Sequence, residues 1–248
     1  MVFESIDFLL AASLLLGAVL FTSVGHGGAS AYIALMTLFG LEQALVRPTA
    51  LILNVLVTSF SSVRYIRAGL FRWRTLWPVL IGALPMAYLG GAITLPGHFY
   101  KPLVAFILAV SAVRLLIPTA EQKLPKLTDI PIGWGIVSGA MIGLLAGLTG
   151  TGGGIFLSPL LVFTGWSDVR KASGVTSVFI LCNSLAGLAG NHSAVGALPS
   201  QTLLYAAAVL IGAVIGTYLG ISAFAKTGIL RALAVVLLIA SAKLSGVY

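Results

Sequence analysis

Apolar residues run along this chain in long blocks separated by short polar breaks. The blocks lie at about 5–24, 29–40, 44–65, 74–95 and 99–117, then 131–149, 154–165, 172–190, 199–224 and 227–246. Blocks of about 18 or more residues, apolar on every side, predict helices that cross a bilayer rather than the amphipathic elements of a water-soluble core. Two of the ten, 29–40 and 154–165, are short. The most polar stretch, from Pro118 to Asp129, is punctuated by prolines and reads as a linker over 118–130. It separates a first transmembrane half, 1–117, from a second, 131–248.

The halves repeat. Gly25-His26-Gly27-Gly28 aligns with Gly150-Thr151-Gly152-Gly153 at an offset of 125, which also pairs Gly40 with Gly165. The offset then grows to 127, pairing Thr49 with Thr176 and Gly69 with Gly196, and to 130, pairing Gly82-Ala83 and Tyr88-Leu89-Gly90 with Gly212-Ala213 and Tyr218-Leu219-Gly220. An ordered series of matches points to internal duplication.

Positive charges orient the halves, because basic residues collect in cytoplasmic connections. If all ten segments change side, Arg64, Arg67, Arg72, Arg74, Arg114, Lys123, Lys126, Arg170, Lys171, Lys226 and Arg231 share the inside, and only Arg47, Lys101 and Lys243 lie outside. If the short segments dip in and return, the split falls to 8 against 6. The first arrangement is expected: two inverted halves, both termini outside. The stretch Asn191–Ser200, equivalent to the four-arginine connection, contains no Lys or Arg, as an inverted partner requires.

Composition narrows the function. Of 248 residues, 59% are apolar and 8% charged, with a mean hydropathy of +1.09. Soluble domains carry about 25% charged residues. The length leaves no room for a sizeable soluble catalytic or nucleotide-binding domain, so an enzyme is not expected. A formal charge of +8 is scattered among connections and forms no nucleic-acid-binding arm. Cys182 is the only cysteine and sits in an apolar block, which excludes a disulfide framework and a thiolate metal site. Glu4 and Asp7 precede and flank the first block's start, where a signal peptide would be basic, so a retained span is expected.

Candidate chemistry sits at the two glycine breaks. Each precedes a short apolar segment at corresponding positions of the halves, the sequence pointer to a transporter's central site. Irregular backbone survives at membrane depth only where protein or a water-filled cavity satisfies its polar groups. Gly25, Gly27, Gly28, Gly150, Gly152, Gly153 and Gly154 permit sharp turns and close backbone approach. The helices starting near Ala29 and Ile155 would aim N-terminal amides and positive dipole ends at a ligand, which favours an anion. The competing explanation is close helix packing through small residues, which accounts for Gly212, Gly216 and Gly220.

Polar residues inside the third segments add donors: Thr49, Asn54, Thr58 and Ser59 in one half, Thr176, Ser177, Asn183 and Ser184 in the other. Each can touch substrate or link helices. His26, aligned with Thr151, can be a proton carrier, a donor to the anion or an interfacial side chain. Arg47 and Glu42 read as a mutual surface pair between the second and third segments. No P-loop, no Thr-Val-Gly-Tyr-Gly filter, no voltage-sensing run and no nucleophile with a partnered base is present.

The run from Gly150 to Pro159, with Gly25-His26-Gly27-Gly28, resembles the repeated glycine signature of the sulfite exporter TauE/SafE family, also called the 4-toluene sulfonate uptake permease family. Ala172-Ser173-Gly174-Val175-Thr176-Ser177, with Asn183-Ser184 and Gly187, resembles its second motif. The first half departs: His26 interrupts the glycine run and Pro48-Thr49-Ala50 stands where the family often has Gly-Thr-Asn. The resemblance implies a multi-pass protein of a bacterial inner membrane that moves sulfite, thiosulfate or organosulfonates. The expectation is therefore an all-α polytopic secondary transporter without cofactor or metal. It would export a small sulfur-containing anion by alternating access, with or without a coupling proton or cation, as a monomer or a homo-oligomer in the lipid bilayer. A passive anion channel and a membrane-embedded assembly or maturation factor are the alternatives.

Overall fold

A computed structural model describes residues 4–116, 128–192, 198–222 and 227–245. Most of the linker, and Gly196 with its neighbours, lie outside the described residues. The helices of the described residues are, in order, α1 (Ser5–Ser23), α2 (Ala29–Leu38), α3 (Gln43–Arg67), α4 (Trp73–Ala92), α5 (Gly97–Leu116), α6 (Ile132–Thr149), α7 (Gly154–Phe163), α8 (Val169–Gly190), α9 (Thr202–Ser222) and α10 (Thr227–Leu244). No strand occurs among the described residues. Among the described residues six helices, α1, α3, α4, α6, α8 and α9, are long and apolar enough to cross a membrane. Leu9, Leu16, Phe106, Trp134, Met141 and Ile211 are exposed on the helix surfaces, as lipid-facing residues are. Helices α2 and α7 have 10 residues each, about 15 Å, half of a hydrocarbon core of about 30 Å.

Backbone-on-backbone contacts fix the packing. Gly139, Gly143 and Gly147 of α6 lie against Val79, Ala83 and Ala87 of α4 in a constant register, so the two helices run the same way. Gly212, Gly216 and Gly220 of α9 lie equally close to Leu15, Val19 and Ser23 of α1, again in parallel. Without a hydrophobic drive between helices in lipid, such close approach supplies the dispersion that holds them. The first helix of each half thus packs on the fourth helix of the other.

The third helices cross between these pairs in opposite directions. Leu51 of α3 lies beside Gly187 of α8, Asn54 bonds Ser184, and Leu70, just past α3, lies against Gly174. One end of the bundle collects the α3–α4 connection, Asp129 paired with Arg72 at 2.9 Å, and Arg170 and Lys171 at the start of α8. The opposite end holds Arg47, Lys101 and Lys243, the start of α1 and the C-termini of α4 and α6.

Candidate functional site

Helix α1 ends at Ser23, and the chain turns back through Gly25 and Gly28, both at positive φ (77° and 105°). Helix α6 ends at Thr149 and turns through Gly150, Gly152 and Gly153 at φ 83°, 75° and 83°. A side chain at these angles would be strained, so glycine is needed for the turn itself. Gly28 and Gly153 are the N-caps of α2 and α7, and neither offers a capping side chain. The first turns of both short helices therefore present backbone N–H groups that no side chain of the cap satisfies.

The two breaks meet at one side chain, Asn54, midway along α3. A methyl at Gly27 would strike Asn54 Oδ1, and one at Gly152 would strike Asn54 Nδ2. Asn54 Nδ2 donates to Ser184 Oγ at 2.9 Å, which ties α3 to α8. From α8, Asn183 Nδ2 donates to Gly152 O at 3.2 Å and Ser177 Oγ to Gly25 O at 2.9 Å. Thr176 lies against Gly154. Asn54, Thr176 and Ser177 are wholly buried and Asn183 nearly so. Asn54 Oδ1, Asn183 Oδ1 and Thr176 Oγ1 have no hydrogen-bond partner. Buried orphan groups of this kind are costly unless a ligand or water meets them. Rotation of either amide presents N–H in place of C=O, so both signs of partner can be accepted.

Most of the sequence-selected residues therefore converge: Gly25, Gly27, Gly28, Asn54, Gly152, Gly153, Gly154, Thr176, Ser177 and Asn183. Thr151 is buried and its hydroxyl pairs with Thr149 Oγ1 at 3.0 Å. Gly150 lies beside the stem of Arg47. Thr49 is buried on α3, toward Arg47, with its hydroxyl unpartnered. His26 Nδ1 pairs with Val24 O at 3.1 Å, and its ring meets Phe21 edge-on. Ser59 is brought to neither break: it is half exposed and returns its hydroxyl to Val55 O. Tyr32, which the sequence did not single out, adjoins the breaks, its Oη donating to Gly27 O at 2.8 Å.

Arg47 corrects the sequence expectation. It forms no surface pair with Glu42: it is only 7% exposed, and its Nη2 donates to Gly90 O, Gly91 O and Gly147 O at 2.7, 2.7 and 2.6 Å. Its Nη1 donates to Ile93 O at 3.0 Å. The guanidinium thus sits on the carbonyl ends of α4 and α6, where two helix dipoles compensate a charge that no carboxylate among the described residues neutralises. An arginine followed by proline looks like a connection. The helix begins earlier, at Gln43, and runs through Pro48, which lies inside α3 and costs it one backbone hydrogen bond. The available signal was a lone basic residue where the charge rule disfavours one.

Among the described residues no group of three or more His, Cys, Asp or Glu side chains could hold a metal ion. The comparisons with known proteins agree with a membrane transporter. A probable membrane transporter protein of Sinorhizobium fredii, y4hK, is 34% identical over 227 residues, covering 90% of this chain and 92% of that protein. The probable membrane transporter protein MamO of Paramagnetospirillum magneticum is 26% identical over 234 residues, 78% of this chain and 37% of MamO. No solved structure matches. Sulfite exporter TauE/SafE matches residues 9–244, nearly the whole length, and this multi-pass membrane protein belongs to that family.

Proposed function

We propose that this protein is a secondary transporter that exports a small sulfur-containing anion, held between the two glycine breaks. The supporting observation is the meeting of two short-helix N-termini at Asn54, with buried orphan amides beside them. Backbone N–H groups and dipole ends from two directions favour a compact oxyanion, and the membrane-depth placement keeps competing water few. The family name supplies the sulfur.

Alternating access follows from the halves 1–117 and 131–248, joined by the linker 118–130, acting as inverted repeats. The reading is supported by the antiparallel crossing of α3 and α8 and by each first helix lying parallel to the other half's fourth. It is supported too by the gathering of Arg64, Arg67, Arg72, Arg74, Arg170 and Lys171 toward one end, which is then cytoplasmic in a bacterial inner membrane. An inside-negative potential aids outward movement of one negative charge by about 2.3 kcal/mol per 100 mV, so export needs little further coupling.

The test is a thermal-shift series in detergent with sulfite, thiosulfate, sulfate, taurine and sulfoacetate, followed by flux in liposomes. Stabilisation by one or more sulfur oxyanions and counterflow-stimulated, saturable flux are expected. No stabilisation and no flux with any of them overturns the reading. Unsaturable flux of thousands of ions per second per protein replaces the carrier with a channel.

A further inference from the structure

Arg47 is a buried cation that the central site leaves unused, and it adjoins the second break near the bundle end that holds Lys101 and Lys243. On one side its stem touches Gly150 of the second break. On the other, its chain neighbour Val46 lines a half-open cavity of about 260 Å³, together with Thr37, Tyr100, Lys101 and Lys243. Lys243 Nζ is engaged by Thr37 O and Leu38 O, both at 3.0 Å. Lys101 is exposed and has no hydrogen-bonded or ionic partner among the described residues. Tyr100 Oη donates to Thr149 O at 3.2 Å, beside Arg47. Lys101 and Lys243 thus stand at one cavity, and Tyr100, which also lines it, reaches Thr149 O next to Arg47.

The guanidinium itself is held but not fully satisfied. Three carbonyls share Nη2, one takes Nη1, and the buried Nε has no partner. All of its acceptors are neutral carbonyls, from α4 of the first half and α6 of the second. An oxyanion is a stronger acceptor for a guanidinium than any carbonyl, and it binds through two parallel N–H groups. The corresponding place at the opposite end has a much lighter tie: Arg170 Nη2 reaches Ile221 O at 3.3 Å and is exposed.

We propose that Arg47 is a second anion site and the gate on the outward path: an oxyanion entering between the breaks and the lysine-lined cavity takes over the guanidinium, and the carbonyl ends of α4 and α6 separate. This rests on reading the chain as an anion transporter. No covalent step is involved; only hydrogen bonds are exchanged.

The experiment uses the full chain with Cys182→Ser and a reporter, Thr149→Cys, oriented in liposomes and labelled from the Lys101 side by an impermeant maleimide. Sulfate and sulfoacetate, which do not react with maleimide, are the probes. With Arg47 in place, labelling is expected to be slow and to rise several-fold as either probe is added. Arg47→Gln is expected to raise the rate about tenfold without any probe and to remove the probe dependence. Arg47→Lys keeps the charge without the fork and should fall between; it carries the test if the glutamine variant does not fold. Equal rates in all three forms overturn the gate. Faster labelling in Arg47→Gln, with no probe effect when Arg47 is present, overturns the anion site. Thermal stabilisation by the same probes separates the two readings: if it persists in Arg47→Gln the central site is intact, whereas its absence in every form, Arg47 included, strikes at the transporter reading itself.

Discussion

The two glycine breaks share a backbone and differ in their side chains. Each leaves a long helix, turns through glycines at positive φ and caps a ten-residue helix with a glycine. In the first, His26 leans back on Val24 O and Tyr32 secures Gly27 O. In the second, Thr151 pairs with Thr149, and Asn183 secures Gly152 O. What is common to both is therefore main-chain geometry and the shared Asn54, while the imidazole has a hydroxyl as its counterpart. What the breaks share thus lies in backbone geometry and in α3–α8 side chains, and His26 is the group that has no like counterpart in the second break.

The largest effect should come from closing a break. A ligand at a hundred times its Kd stabilises the folded state by about 2.7 kcal/mol. Gly152→Val should abolish that anion-dependent rise in melting temperature, since the φ of 75° and the amide of Asn54 both exclude a side chain. Gly133→Ala is the proper control, because a methyl there meets open space and no special angle is needed. Gly216→Ala is unsuitable: it would strike the α1 backbone and cost about 1–3 kcal/mol of stability by overpacking. An unaltered anion response in a folded Gly152→Val protein would remove the second break from the site.

Next in size is Asn54→Ala, read by titration calorimetry or by the same thermal shift. Loss of a hydrogen bond to an anion costs about 1.5–3 kcal/mol, so affinity should fall about tenfold or more. Asn183→Ala should cost less, about fivefold, because Asn183 serves one break and Asn54 serves both. Equal losses would mean that the breaks contribute independently rather than through a shared centre.

The smallest change is expected from His26→Gln, which keeps a donor near Val24 O. Affinity for a sulfonate should stay within about a factor of two, as for substitutions away from buried networks, and the pH profile of transport should not move. A flattened pH profile measured with a sulfonate, which does not titrate near neutrality, would instead make His26 the coupling-proton carrier and the breaks functionally unequal.

The all-helical character and the placement of the breaks were legible in the sequence because both depend on local rules. Lipid demands apolar blocks of spanning length, and only glycine follows the turns at Gly28 and Gly153. Boundaries shifted by a few residues where polar groups cap helices: α8 begins at Val169 because Asp168 accepts from Lys171 N at 2.9 Å. Selecting Asn54, Thr176, Ser177 and Asn183 was also possible, since polar groups in an apolar block need a protein partner or a cavity.

Sequence alone determined that this chain is a polytopic helical membrane protein with paired glycine breaks and a biased charge pattern, because each of those is set by the solvent a residue meets. Tertiary structure alone decided that both breaks arrive at Asn54, that Tyr32 adjoins them and Ser184 accepts from Asn54, and that Arg47 is buried on the ends of α4 and α6. Those facts depend on which backbones approach across about a hundred residues of chain, from Arg47 to Gly147 for example. A carbonyl offered by a distant helix end leaves no mark in the local sequence of the arginine that it holds.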